Sequence, residues 1–395
     1  MTEFTECDVL VVGAGLAGLA CAQRLVDRGR DVIVLESADR VGGRVTSDDV
    51  DGFIVDRGFQ VLNPAYPSLA EVVPVGRLGL RPFPRAIAVR RTDGLSTLKA
   101  PTRDPFALAG DLSSGLVTLG SAGLGAFFAR AAAVDEPYRR AFDVARFTGP
   151  LRDEVVEPFL AGVICEDQGA TSSRFVSWLL RLFAQGTPGV PARGMRALPE
   201  LLARGLDVRL NTPVTEVASG TVRTDGGAFA ARSVVLAAGP GCAHLAPSAS
   251  VEWHGTRTFW FACDAAPASD ARIHVDGRRT GPVTTTCVTS LAAPSYAPDG
   301  RHLVPALTLT ERGVASEQDV RSHLAEIYGV PTDGWEVVAV HDLPHTVPAV
   351  RPPYDTGRRV ERRDDRTLIC GDLMGNASTE GALASGLAAA DAILA

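Results

Sequence analysis

Gly13-Ala14-Gly15-Leu16-Ala17-Gly18 sets three glycines at the spacing that lets a chain fold tightly around a pyrophosphate. Gly13 permits the turn, Gly15 lets backbone amides approach the phosphates, and Gly18 allows the following helix to pack closely on its strand. The start of that helix adds unpaired N–H groups and a positive dipole end. Glu36 ends the next strand, 23 residues after Gly13, where a carboxylate can accept both hydroxyls of an adenosine ribose and would repel a 2′-phosphate. Arg40-Val41-Gly42-Gly43-Arg44 follows directly. Its glycines let the chain pass close to a ligand, and Arg44 can offer a planar cationic fork to a pyrophosphate. The chemistry these residue types suit is the binding of a dinucleotide, and a simple nicotinamide dehydrogenase has no evident need of the second phosphate-facing element.

Such residues need a β-α-β frame, and the sequence supplies one. Asp8–Val12 reads as a short apolar strand, Leu16–Arg28 as a helix and Asp31–Glu36 as a second strand, with Gly29 between the last two. Asp207–Leu210 and Ser233–Ala238 read as further strands. Near the end, Thr367–Cys370 is a strand, Gly371–Thr379 a loop and Glu380–Leu394 a helix. Strand-like stretches recur at Gly52–Leu62, Arg257–Cys263, Val283–Thr289 and Leu303–Thr310, and helical ones at Pro105–Ala133, Pro137–Ala145, Ser173–Ala184 and Glu317–Tyr328. Nucleotide-type signals therefore lie at both ends and in the middle, with unlike material between them. That order predicts an α/β protein of two interleaved domains. One takes residues 1–60, 195–250 and 345–395; the other takes 61–194 and 251–344, with its helical part at about 100–190.

With the GxGxxG turn, the acidic strand end and the GGR run in place, the chain resembles the flavin superfamily that includes monoamine oxidases, phytoene desaturases and protoporphyrinogen oxidases. The resemblance implies a Rossmann-like FAD-binding domain of the GR2 type, interleaved with a substrate domain of mixed sheet and helices. It implies that Gly13, Gly15, Gly18, Glu36, Arg40, Gly43 and Arg44 hold FAD. Three later stretches extend it. Asn211–Val217 resembles the segment whose backbone, at Val214, pairs with the adenine. Val234–Gly239 resembles the strand that closes the dinucleotide fold. The run Cys370-Gly371-Asp372, then Ser378-Thr379-Glu380-Gly381-Ala382 and Ser385-Gly386, resembles the flavin-end motif. By that resemblance Gly371 and Asp372 meet the cofactor, Asp372 accepting from a ribityl hydroxyl. Backbone N–H groups near Thr379 then face the flavin pyrimidine, where a positive helix end stabilises reduced flavin.

Asp56–Leu62, which contains Gln60, resembles the loop that runs beneath the flavin ring, and Gly189–Met195 resembles a P-x-G-G-M element with Arg193 in place of a glycine. Arg193 either meets an anionic substrate or closes a structural ion pair. His345 in the HDLPHTVPAV stretch is a candidate general base or orienting donor, beside a purely structural reading; His341 shares that stretch. These three, His345, Arg193 and Gln60, are the candidate catalytic residues. The departures from the amine oxidases matter as much. Their lysine near the flavin would fall on Trp253–Cys263, at about Thr258, yet Lys99 is the only lysine and lies far off in sequence. The place of one of their two flanking aromatics is taken by Ser378, and no cysteine has a clear claim to tether the cofactor, so the FAD is expected to be non-covalent.

Composition narrows the classes further. A formal net charge of −7 argues against a nucleic-acid partner. The seven cysteines are scattered without a CxxC pair, so neither a disulfide framework nor a metal site is indicated. The start lacks a basic region before its apolar run, which makes the expected location cytoplasmic. Leu112–Ala129 runs eighteen residues without a charge, but eight are Gly, Ser or Thr, which fits a buried or surface-apolar helical hairpin better than a membrane span. Membrane-surface contact stays open at that stretch and nothing else indicates it. The leading expectation is an FAD-dependent oxidoreductase that takes a hydride from a substrate C–H to flavin N5, on a small, largely apolar or cyclic molecule. The alternatives are an amine or amino-acid oxidase using molecular oxygen and giving imine and hydrogen peroxide, and a flavin-dependent isomerase or redox-silent flavin-binding protein.

Overall fold

Val9–Val12 and Val32–Leu35 are buried at every position, with helices on one face and the strand residues Val217, Val222 and Phe229 on the other. In the computed structural model, which describes residues 4–99, 115–242, 245, 251–355, 359–374 and 376–395, they lie side by side and parallel. Phe4–Val12 also pairs in parallel with Gly227–Leu236, and Val32–Leu35 with Asp207–Arg209. Thr367–Ile369 adds to the far edge of Gly227–Leu236, again in parallel. Among the described residues this sheet has eight strands, completed by Val214–Ala218, Thr221–Thr224 and Glu361–Arg362. The parallel strands end together at Val12, Leu35, Leu236 and Ile369, so the loops that follow them share one crevice, where open α/β sheets bind ligands.

The helix Leu16–Val26 packs on that sheet and against the closing helix Thr379–Leu394. Glycine makes both contacts close. A Cβ on Gly18 would stand 2.0 Å from the Gly13 carbonyl oxygen, and one on Gly386 would stand 2.1 Å from that of Ala17.

Among the described residues a second sheet of seven strands runs in the order Glu336–Pro348, Trp253–Cys263, His302–Leu309, Val283–Thr286, Ile273–Asp276, Ala86–Arg91, Gly94–Lys99. Glu317–Tyr328 covers one side, its start closed by reciprocal hydrogen bonds between Ser316 and Asp319. Helices between residues 123 and 185 cover the other, with Glu157–Ile164 directly over the strands. Their core is aromatic: Phe127, Tyr138, Phe142 and Phe147 are fully buried and meet edge to face. Buried Glu157 ties the layers together, accepting from Arg139 and Arg152 of the helical layer and from Arg279 beyond Asp276.

Several elements differ from the expectation. Gly52–Leu62 is strand only over Phe53–Asp56, paired with Ser47–Val50, because the chain then turns at Gly58 with φ +86°. Within Pro105–Ala133 a helix spans Gly123–Ala133 after a short turn at Leu119–Ala122, and residues 105–114 lie outside the described residues. The last strand of the second sheet continues to Pro348, past the expected boundary at 344/345. No helix among the described residues is long and apolar enough to cross a membrane.

Candidate functional site

One cavity of about 1110 Å³ follows the crevice of the first sheet and continues between the second sheet and the helices above it. At the first end two glycine turns abut. Gly42 N–H donates to the Ala14 carbonyl at 2.8 Å, and a Cβ on Gly43 would meet Gly15 Cα at 3.5 Å. Gly13 adopts φ +103°, and a Cβ there would be driven into Ala238 at 2.8 Å, so only glycine fits. Gly15 has open space where a Cβ would stand, and no side chain caps the helix it opens. The first amides of that helix therefore stay available to an anion.

Glu36 is buried, accepting from Ala14 N–H at 2.7 Å and Ala38 N–H at 2.9 Å, which aims its carboxylate along the same wall. Arg44 spans the crevice. Its Nη2 meets Asp372 Oδ1 at 2.6 Å, its Nη1 donates to the Thr346 carbonyl at 2.9 Å, and it lies over the Trp253 ring at 5.2 Å. Val214, Gly371 and Thr379 line the wall too, and Thr379 opens the closing helix, where the Ser378 hydroxyl accepts from Gly381 N–H. Two helix N-termini thus face one cavity, a favourable place for phosphate and for negative charge. The open glycine turns, the uncapped amides and the Glu36 carboxylate on one wall fit an adenine dinucleotide.

Gly18 acts from behind the wall by close packing, as its spacing suggested. Arg40 is off the cavity wall: it binds Asp48 at 2.6 Å and Asp39 at 3.0 Å. Hydrogen bonds from Arg57, and then from Arg40, hold Asp48 below the ordinary carboxylate range. Arg40 therefore braces the loop that Arg44 sits on. Arg193 is off the wall as well, exposed and paired with Glu200 at 2.6 Å, which is the structural ion pair rather than a substrate contact. Gln60 and His345 both line the cavity. The Gln60 amide nitrogen donates to the carbonyls of Arg44 and Arg57, both at 2.8 Å, and so fastens the second glycine turn to the loop after Asp56. His345 meets the Trp253 ring edge to face at 5.6 Å. His341 instead sits behind, its Nδ1 accepting from Gly58 N–H at 3.4 Å, and burial pushes its pKa down.

The far end of the cavity was not foreseen. Phe159, Val163, Leu179 and Phe183 line it from the helices, and Ile273 and Leu307 from the sheet. Val155, Phe159 and Val163 recur at helical spacing, a pattern that in sequence looks like core packing. Thr256, rather than Thr258, is the residue of its strand that reaches the cavity, and its hydroxyl bonds that of Thr346 at 2.9 Å. Lys99 also borders the cavity, on the edge strand farthest from Thr256. Among the described residues the acidic side chains on the wall are Glu36 and Asp372, both at the dinucleotide end.

Residues 16–394 match the family of flavin containing amine oxidoreductases. The chain belongs to that family. Flavin is the cofactor named in that family's description, and the glycine turns and helix starts on the cavity wall fit its dinucleotide form. It is similar to putrescine oxidase of Kocuria rosea, 49% identical over 80 residues, which cover 20% of this chain and 16% of the relative. It is also similar to polyamine oxidase 2 of Arabidopsis thaliana, 30% identical over 231 residues, 53% of this chain and 45% of the relative. The chain thus matches less than half the length of either. A solved oxidoreductase from Methanosarcina mazei has the same fold, with a TM-score of 0.76 at 17% identity over 97% of this chain and all of that one.

Proposed function

We infer that this flavin oxidoreductase oxidises a C–H bond of a small, largely apolar or cyclic molecule, in the manner of a dehydrogenase or desaturase. The carrying observation is the far half of the cavity, walled by Phe159, Val163, Leu179, Phe183 and Leu307 with no carboxylate among the described residues there. A diamine or polyamine carries at least two positive charges near neutral pH, and moving such a cation into an apolar chamber without a counter-charge is costly. Ser378, where the amine oxidases set an aromatic, adds to the case, since its hydroxyl is engaged in capping the closing helix.

FAD, when bound, supplies the hydride acceptor. The chain's residues do the rest. Gly13, Gly15 and the start of the first helix hold the pyrophosphate with Gly43 and Arg44; Glu36 takes the ribose, and Val214 the adenine. Asp372 would orient the ribityl chain, and the helix start at Thr379 would place a positive end beside the flavin ring. The apolar walls exclude water and orient the substrate. Gln60 is a brace, and His345 is a side chain on the wall placed to hold or move a proton.

Anaerobic holoprotein mixed with a panel of alicyclic C–H donors, and separately with mono-, di- and polyamines, tests the reading by loss of flavin absorbance. Bleaching by alicyclic donors supports it. Bleaching by amines alone, with hydrogen peroxide on admitting air, replaces it with amine oxidation. Turnover of a donor with no net flavin reduction replaces it with isomerisation.

A further inference from the structure

Tyr66 precedes the short helix Pro67–Val72, on the chain that leaves the Gln60 loop. It is 8% exposed and lines the cavity. Among the described residues its hydroxyl has no hydrogen-bond partner, yet the protein does not seal it off. Tyr138 is the contrast: its hydroxyl also lacks a partner, but it is sealed in the aromatic core of the helices, off the cavity wall. Buried polar groups are normally satisfied, so a hydroxyl left open on a cavity wall is placed to meet what the cavity receives.

The surroundings of Tyr66 say which part of the cavity that is. Ser68 donates to Glu380 through its N–H at 3.0 Å and its hydroxyl at 2.8 Å. Glu380 lies in the first turn of the closing helix, so Tyr66 is fixed beside that helix start. It packs in one cluster with Leu16, Ala17 and Ala382, all on the wall at the dinucleotide end. Leu182 of the same cluster belongs to the helix Ser173–Gln185, whose Leu179 and Phe183 wall the apolar chamber. The phenol therefore stands where the two halves of the cavity meet. Burial, and then the Glu380 carboxylate, push its pKa well above the ordinary tyrosine value, so it keeps its proton.

We propose that Tyr66 is a further catalytic residue, whose hydroxyl donates a hydrogen bond to an acceptor atom of the flavin ring at its border with the apolar chamber. A donor fixed there favours negative charge on the ring and adds to the positive end of the closing helix. The inference rests on the flavin cofactor and is independent of which substrate fills the chamber.

Substrate-free holoprotein, reduced stepwise with dithionite beside a reference dye and followed by flavin absorbance, gives the potential directly. Tyr66→Phe keeps the ring packing and removes the hydroxyl. Its balance of reduced to oxidised flavin should fall about 10-fold, a potential about 30 mV lower for a two-electron couple. The absorption bands of its oxidised flavin should shift as well. Tyr66→His, which restores a ring N–H, should recover part of both changes, and Tyr138→Phe should match wild type. A wild-type potential and spectrum in Tyr66→Phe overturn the proposal, whatever its turnover. An equal shift in Tyr66→Phe and Tyr138→Phe overturns it too, since that marks a general loosening. Loss of FAD from both Tyr66 variants but not from Tyr138→Phe makes Tyr66 a packing residue and equally overturns it.

Discussion

Arg44 Nη2 lies 2.6 Å from Asp372 Oδ1, an ion pair between residues 328 positions apart. The pair joins the second glycine turn to the loop before the closing helix, and the Thr346 carbonyl and Trp253 ring hold the same guanidinium from the second sheet. Arg44 is thus positioned by three remote parts of the chain. Replacing it with Ala is expected to weaken FAD binding by about 10- to 100-fold, the scale of a lost charge-assisted contact. Arg44→Lys should recover only part of that, because an ammonium cannot reproduce the planar fork. Titration of the apoprotein with FAD measures both.

Glu36 supports its own loop as well as facing the cavity. In Glu36→Ala the Ala14 and Ala38 amides lose their acceptor, and the cofactor-free protein should be about 2 kcal/mol less stable to urea. Glu36→Gln keeps one carbonyl oxygen and should fall between the two. Equal stability of all three would mean the loop holds its shape without the carboxylate.

Gly386→Ala tests the contact between the first and closing helices. The added methyl would be driven into the Ala17 carbonyl, which must force the helices apart at a cost of about 1–3 kcal/mol. Because both helices start at the cavity, FAD retention should fall in the same variant, read from flavin absorbance per protein after gel filtration.

Two buried aspartates should give opposite pH slopes. Burial pushes Asp276 up, but hydrogen bonds from His323, Arg278 and Thr280 outweigh it and leave the carboxyl well below its ordinary value. Its stabilisation is present above the ordinary carboxylate pKa and is lost as the solution turns more acid. Burial raises Asp56 to about 6, against hydrogen bonds from Ser47, Met195 and Tyr296. Its contribution is greatest below the ordinary carboxylate pKa and is lost as pH rises through about 6. Urea midpoints measured across the acid range should therefore vary less steeply in Asp276→Asn below pH ~4. In a Tyr296→Phe protein, which lacks one donor to Asp56, the loss on raising the pH should be steeper.

The dinucleotide end of the cavity was readable because its chemistry is local. Gly13, Gly15 and Glu36 sit within one β-α-β unit. Arg40 was read beside Arg44, but in sequence an arginine beside a glycine pair looks the same whether it faces a ligand or, as its contacts here show, Asp48. The apolar end was hidden for a different reason. Its wall is assembled from helix faces and strands far apart in the chain, and each apolar residue there has the signature of ordinary core. Lys99 shows the limit most directly: remote in sequence from Trp253–Cys263, it borders the same cavity through a hairpin whose turn, at Asp93-Gly94, gives no hint of which cavity its strands approach. Glu336–Pro348 was missed because its exposed, charge-bearing positions and Pro344 weaken the alternation that marks a strand.

The contact of Gly386 with Ala17, and the Arg44–Asp372 pair, carry a consequence for biosynthesis. A ribosome has made the first glycine turn long before it makes Asp372 and Thr379, so the nascent chain holds only half a clasp. Coenzyme capture must wait until the last helix has left the exit tunnel and docked. Ribosome-stalled chains ending before residue 371 should accordingly emerge without yellow colour, however much coenzyme surrounds them.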